Sequence, residues 1–139
     1  MYAKKDTMQK NKYLLDCNVY ISYIINGKLA DLVEYILNND IFVLSCNELE
    51  NEIADVLQRP HISKYLTEKA NNYSDIIHTI THRVKITKKY TGSPDAKDDY
   101  LFALCLSHKA ILVTGDKKLQ RFKESPIQII STTAFKNLF

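Results

Sequence analysis

Short apolar runs alternate with amphipathic stretches along this chain, and the two periods predict two kinds of element. Tyr13-Leu14-Leu15, Ile41-Phe42-Val43-Leu44 and Ile111-Leu112-Val113 are apolar at every position, as strands buried on both faces must be. Val84-Lys85-Ile86 is a weaker candidate, and Ile127–Ile130 supplies a fifth. Between them, Leu29, Leu32, Val33, Ile36 and Leu37 recur at i, i+3, i+4, i+7 and i+8, the stripe of an amphipathic helix. Leu49, Ile53, Val56 and Leu57 form another such stripe, closed by Arg59-Pro60. Val19–Ile25 predicts a shorter helix stopped by Asn26-Gly27. Further helix is expected over residues 61–81, from about Asp98 to Ser107, over 117–122, and from Thr132 to Phe139. Strands alternating with helices in this way imply an α/β fold with a parallel sheet covered on both sides.

The pattern leaves residues 1–11 polar and aperiodic, so a loose arm is expected ahead of a single domain over residues 12–139. A chain of 139 residues that is 45% hydrophobic and 25% charged can bury a core without disulfides or a structural metal. No run reaches the ~18–20 apolar residues of a membrane helix, and the N-terminus lacks an apolar signal core. The expectation is therefore a cytoplasmic protein with no membrane partner. Cys17, Cys46 and Cys105 are odd in number and far apart, and they read as buried small apolar residues. With only Gly27, Gly92 and Gly115 in the chain, no P-loop or dinucleotide fingerprint can be assembled, so no nucleotide cofactor is expected. Ser22, Ser45, Ser93 and Ser107 lack the context of a nucleophile elbow.

Candidate chemistry concentrates where predicted strands end and helices begin. Asp16 follows the first strand, Glu48, Glu50 and Glu52 open a helix, Asp95, Asp98 and Asp99 precede another, and Asp116 follows the fourth strand. Taken singly, each is well explained as a helix cap or a solvated charge. Taken together, four acidic positions fall at one edge of a parallel sheet, the edge where open α/β sheets bind ligands. Carboxylates gathered there repel unless a cation compensates, and oxygen donors suit Mg²⁺ or Mn²⁺ better than zinc. Such a cluster can orient water and stabilise charge during phosphodiester hydrolysis. Glu50 and Glu52 diverge by about 200° on a helix, and Glu52, bordering the apolar stripe, is the better placed. His78 and His82 have i, i+4 spacing but lack the glutamate of a zinc protease motif.

The net charge of +3 comes from the first twelve residues, where four lysines oppose Asp6, and the remainder is balanced. Arg83, Lys85, Lys88 and Lys89 nevertheless form a basic segment beside Tyr90, and Lys117, Lys118, Arg121 and Lys123 form a second. Usually such residues are solvated surface. Beside an acidic metal site, Arg83, Lys85, Lys88, Lys117 and Lys118 become candidates for binding nucleic-acid phosphates.

Four segments, in order, resemble the PIN-domain family, particularly its bacterial toxin components of toxin–antitoxin systems. They are Tyr13-Leu-Leu-Asp16-Cys-Asn18, Asn47–Pro60 with Glu52 and its Arg-Pro ending, Asp95-Ala-Lys-Asp-Asp99-Tyr-Leu-Phe, and Leu112-Val-Thr-Gly-Asp116. The ordered set carries the likeness, since no one segment is specific. The resemblance implies a three-layer α/β/α sandwich around a five-stranded parallel sheet. It also implies a nuclease dependent on Mg²⁺ or Mn²⁺ and acting on an RNA substrate. Carried over by position, Asp16, Glu52, Asp99 and Asp116 match the acidic quartet that is both catalytic and metal-binding. Asn18, Asp95, Asp98 and Thr114 match supporting polar positions. Asp99 enters the quartet by counting back from the apolar helix, with Asp98 as its neighbouring alternative. A toxin role would imply a small antitoxin protein as partner, and the family makes a homodimer an expectation. Cys17 stands where the family usually has threonine, and Ser93-Pro94 and Ala96 replace the usual residues around Asp95. The rival readings are an inactive module that binds nucleic acid or a protein partner, and a DNA nuclease of related fold.

Overall fold

The computed structural model describes residues 10–66 and 72–139. Five strands form one sheet in the order β3-β2-β1-β4-β5, all parallel. They are β1 (Lys12–Leu15), β2 (Phe42–Ser45), β3 (His82–Arg83), β4 (Ala110–Thr114) and β5 (Ile129–Ser131). The helices are α1 (Cys17–Ile25), α2 (Leu29–Asn38), α3 (Asn47–Gln58), α4 (Pro60–Ser63), α5 (Tyr73–Ile80), α6 (Asp99–His108), α7 (Lys117–Gln120) and α8 (Thr132–Lys136). Right-handed crossovers put the helices between β1 and β3 on one face, and those that follow β3 and β4 on the other. The sheet is therefore flanked by helices on both faces.

The apolar runs explain the centre of the sheet. Leu14, Leu15, Val43, Leu44, Leu112 and Val113 are essentially inaccessible, and β1 pairs with both β2 and β4. The α6 segment is buried at five consecutive positions, Leu101 to Cys105, which suits a helix enclosed by sheet and loops. All three cysteines are buried and free. Burial pushes the thiols of Cys17 and Cys46 up to about 12 and 11, so neither is a nucleophile at neutral pH. The expected stop of the first helix is present: Asn26 caps α1, and Gly27 takes φ +68, a conformation glycine adopts without strain.

Two expectations need correction. The third strand is His82–Arg83, two residues earlier than Val84–Ile86. Pairing ends once the Val84 amide meets the Ser45 carbonyl, and the following loop is held by the end of α6: the Thr87 and Lys88 amides both donate to Ser107 Oγ. The further helix expected over 61–81 is present as α4 and α5 but is broken at residues 64–66, and residues 67–71 lie outside the described residues. Of the expected N-terminal arm only Lys10 and Asn11 are described, and Lys10 pairs with Asp40. Among the described residues, no helix is long and apolar enough to cross a membrane.

Candidate functional site

The register of the two central strands builds half the site. Leu15 of β1 lies opposite Val113 of β4, so the next residues, Asp16 and Thr114, are neighbours across the same pair. The Asp16 amide continues the ladder to the Val113 carbonyl at 3.0 Å. Thr114 Oγ1 donates to Asp16 Oδ2 at 2.5 Å and accepts from the Asp116 amide at 3.0 Å. One buried hydroxyl thus ties both acidic positions together at the point where strand order reverses, the usual ligand site of such sheets. Both aspartates also cap helices. Asp16 Oδ1 accepts from the Asn18 amide at 2.7 Å, and Asp116 Oδ1 from the Lys118 amide at 2.8 Å. Capping occupies one oxygen of each carboxylate and leaves acceptor capacity on the other.

The helices supply the other half. α3 starts directly after β2 and carries Glu52, whose Oε1 accepts from the Tyr100 hydroxyl of α6. Ahead of α6, Asp95 Oδ1 accepts from the Lys97 amide at 3.2 Å and caps a 3-10 turn, Ala96–Asp98. Asp98 stands at the cap position of α6 but makes no capping bond. Asp16, Glu52, Asp98 and Asp116 line one open cleft of about 290 Å³ together with Asn18 and Asp95.

Asp99 is placed elsewhere. Its Oδ1 accepts from the Ser93 amide at 3.1 Å and from the Ser93 hydroxyl, and it does not line the cleft. Adjacent residues on a helix point about 100° apart, so Asp98 and Asp99 cannot both face the same space. The structure groups Asp98 with the other three acids and uses Asp99 to hold the loop.

The cleft opposes its own ionisation. Asp16 is only 5% exposed. Burial pushes its carboxyl above the usual range against the hydrogen bonds from Thr114 and Asn18, and Asp116 adds repulsion. Burial, followed by the charges of Asp16, Asp95 and Glu52, raises Asp98 to about 6, with Lys97 opposing. A cation would relieve both burial and repulsion, and the all-oxygen donor set suits a hard divalent ion. Among the described residues no group of three or more acidic, His or Cys side chains is placed to hold a metal ion.

The basic candidates separate. Lys118 lines the cleft, as do Arg59 and Lys97, while Lys117 is exposed on α7. Arg83 is engaged by Glu50, with Nε donating to Oε2 at 3.1 Å. The Lys88 amide meets Ser107, and the Lys85 carbonyl accepts from His108 Nε2 at 2.6 Å. Both lysines are therefore anchored at the last turn of α6, roughly 15 Å along the helix from Asp98. The two spaced histidines also diverge: His78 contacts Glu50, and His82 stacks on Phe42 with ring centroids 4.1 Å apart. Sequence reasoning missed Tyr100, Lys97 and Arg59. Lys97 had a signal, lying inside the acidic motif, whereas nothing local announces that Tyr100 meets a residue 48 positions away.

A family model described as PIN domain matches residues 12–118. Among solved structures, the chain is similar to the crystal structure of VapBC2 from Rickettsia felis bound to a DNA fragment from their promoter. Identity is 16% and the TM-score 0.57, over 86% of this chain and 98% of that one. No match was found among curated proteins.

Proposed function

Because this chain belongs to the PIN-domain family, we propose that it is a metal-dependent endoribonuclease whose acidic set is Asp16, Glu52, Asp98 and Asp116. One observation carries the reading: these four acids line a single cleft at the switch point of the sheet, and two of them are held above their usual pKa. Asp16, Asp98 and Asp116 would hold Mg²⁺ or Mn²⁺ directly or through water, with Glu52 completing the cage. When bound, such an ion neutralises charge on the transferring phosphoryl group and makes coordinated water more acidic. Glu52, with Oε1 committed to Tyr100, keeps Oε2 to accept a proton from the attacking water as its oxygen bonds to phosphorus and the ester phosphorus–oxygen bond breaks, the leaving oxygen taking its proton from solvent. Lys97, Lys118 and Arg59 lie where a phosphate enters the cleft. Thr114, Asn18 and Asp95 position the acids, and Asp99 positions the loop through Ser93.

The test is cleavage of single-stranded RNA, beside single-stranded DNA, in Mn²⁺ and in Mg²⁺. Asp16→Asn combined with Asp116→Asn should abolish RNA cleavage; a double variant as fast as the parent sinks the reading. The lack of a ready-made metal-holding group among the described residues favours a second reading, an inactive PIN module that binds nucleic acid or a partner. A melting temperature unmoved by millimolar Mn²⁺ would favour that second reading, since a ligand that binds the fold stabilises it. The reading extends to a toxin role in the cytoplasm, with a small antitoxin partner and a homodimeric assembly; the similarity in fold to the VapBC2 structure is in keeping with an antitoxin partner. Co-purification with the product of the adjacent gene would test that role.

A further inference from the structure

A second groove opens on the other side of Asn18. It has a volume of about 310 Å³ and runs over the outer face of α1 to α8, sharing Asn18 with the acidic cleft and including Gly115, next to Asp116. Its character is the reverse of the cleft's. Lys28 and Lys136 line it with Ser22, Asn26 and Thr132, and no acidic residue lines it among the described residues. Lys136 holds its ammonium 5.5 Å from the centre of the Tyr23 ring, which keeps a flexible cation at the groove wall. Both lysines are exposed and have no carboxylate partner among the described ion pairs. Two ammonium groups with side-chain amides and hydroxyls, and with Asp31 as a nearby acid outside the lining, form a surface for a polyanion.

We infer that this groove holds the phosphates of a single-stranded RNA that flank the one seated in the acidic cleft, with Lys28 and Lys136 as the contacting charges. The inference rests on the nuclease reading for what occupies the neighbouring cleft. The groove divides labour with that cleft. The acids repel a polyanion, so Lys97, Lys118 and Arg59 at the cleft are supplemented by the adjacent cationic groove, and Asn18 stands at the junction. This path runs over α1 and α8, not along the Arg83–Lys89 segment, where the backbone of Lys85 and Lys88 is held at the far end of α6.

The experiment measures binding of a fluorescein-labelled ten-nucleotide RNA by anisotropy, in EDTA and in an Asp16→Asn background, so that cleavage plays no part. Lys28→Ala with Lys136→Ala should weaken binding about 5–10-fold at 0.1 M salt and flatten the log–log salt dependence by about 1.4, roughly 0.7 per lost phosphate contact. Lys85→Ala with Lys88→Ala should leave both quantities within about 1.5-fold of the parent. Equal losses in the two pairs, or none in the first, would overturn the inference. The two proposals fail separately. Lysine-dependent binding by a chain that cleaves no RNA leaves the groove standing and removes the nuclease. Cleavage with RNA affinity indifferent to Lys28 and Lys136 does the opposite.

Discussion

Glu50 and Glu52 stand two residues apart on α3 and live in opposite electrostatic settings. Glu50 is surrounded by donors: Ser45 Oγ at 2.9 Å, Arg83 through both Nε and Nη2, and His78 Nε2. Burial pushes its carboxyl up, yet these bonds together hold it below the usual glutamate value. On the neighbouring face, Glu52 meets one tyrosine hydroxyl and shares its cleft with Asp16, Asp98 and Asp116. In that cleft the burial of Asp16 and Asp98 outweighs the donors and cations around them, and Asp98 rises to about 6. Buried acids do not by themselves mark a functional site. A satisfied acid knits β2, β3 and α5 to the start of α3, whereas unsatisfied acids leave a charge for something else to balance.

The largest effect is expected from substituting in turn the two adjacent acids, Asp98 and Asp99. Asp98→Asn should lower RNA cleavage on the order of 10²–10³-fold. Asp99→Asn, which alters only the anchor to Ser93, should cost less than about tenfold. Rates measured in saturating Mn²⁺ decide it, and a larger loss for Asp99→Asn would restore that residue to the acidic set.

On the satisfied side, Glu50→Ala should lower the melting temperature by roughly 4–10 °C, because Ser45 Oγ is left buried without its acceptor. The sign with pH follows from a depressed carboxyl. Its stabilisation is present above the unfolded value near 4.5 and is lost as pH falls through the lower folded value. The gap between Glu50→Ala and parent should therefore narrow as the solution is acidified below pH 4.5. A gap independent of pH would show that packing, not charge, holds this corner.

A smaller effect of opposite sign belongs to the cleft. For Asp98 the folded pKa is raised from 3.8 to about 6, so metal-free stability falls as pH rises between those values and is flat above them. In EDTA at pH 7.5, Asp98→Asn should melt a few degrees higher than the parent, with no difference below pH 3.8. Mn²⁺ should cancel the advantage by favouring the ionised form. A destabilised Asp98→Asn in EDTA at pH 7.5 would contradict an uncompensated cleft.

Much of this was legible in the chain. Consecutive apolar residues located the central strands because a strand covered on both faces has no polar side to show, and the acids at their ends were conspicuous for interrupting those runs. The edge strand was misplaced for the same reason: His82 and Arg83 are exposed, so the apolar Val84 and Ile86 drew attention two residues too far. Which of Asp98 and Asp99 lines the cleft was hidden by the 3-10 turn Ala96–Asp98, which shifts where α6 begins. Lysine-rich sequence reports charge without reporting position, and the structure ties the backbone of Lys85 and Lys88 to the last turn of α6.

The sequence alone determined the α/β alternation, the burial of the three thiols and the inventory of acids at one sheet edge. These follow from local periodicity and from topology rules that need no coordinates. Tertiary structure decided which acids are left uncompensated. Glu50 is neutralised by Arg83, 33 positions away, and Asp16 is tied to Thr114, 98 positions away. Charge compensation depends on distance in space, which sequence spacing does not encode, and on that distance rests the division between the acids that hold the fold and those offered to a ligand.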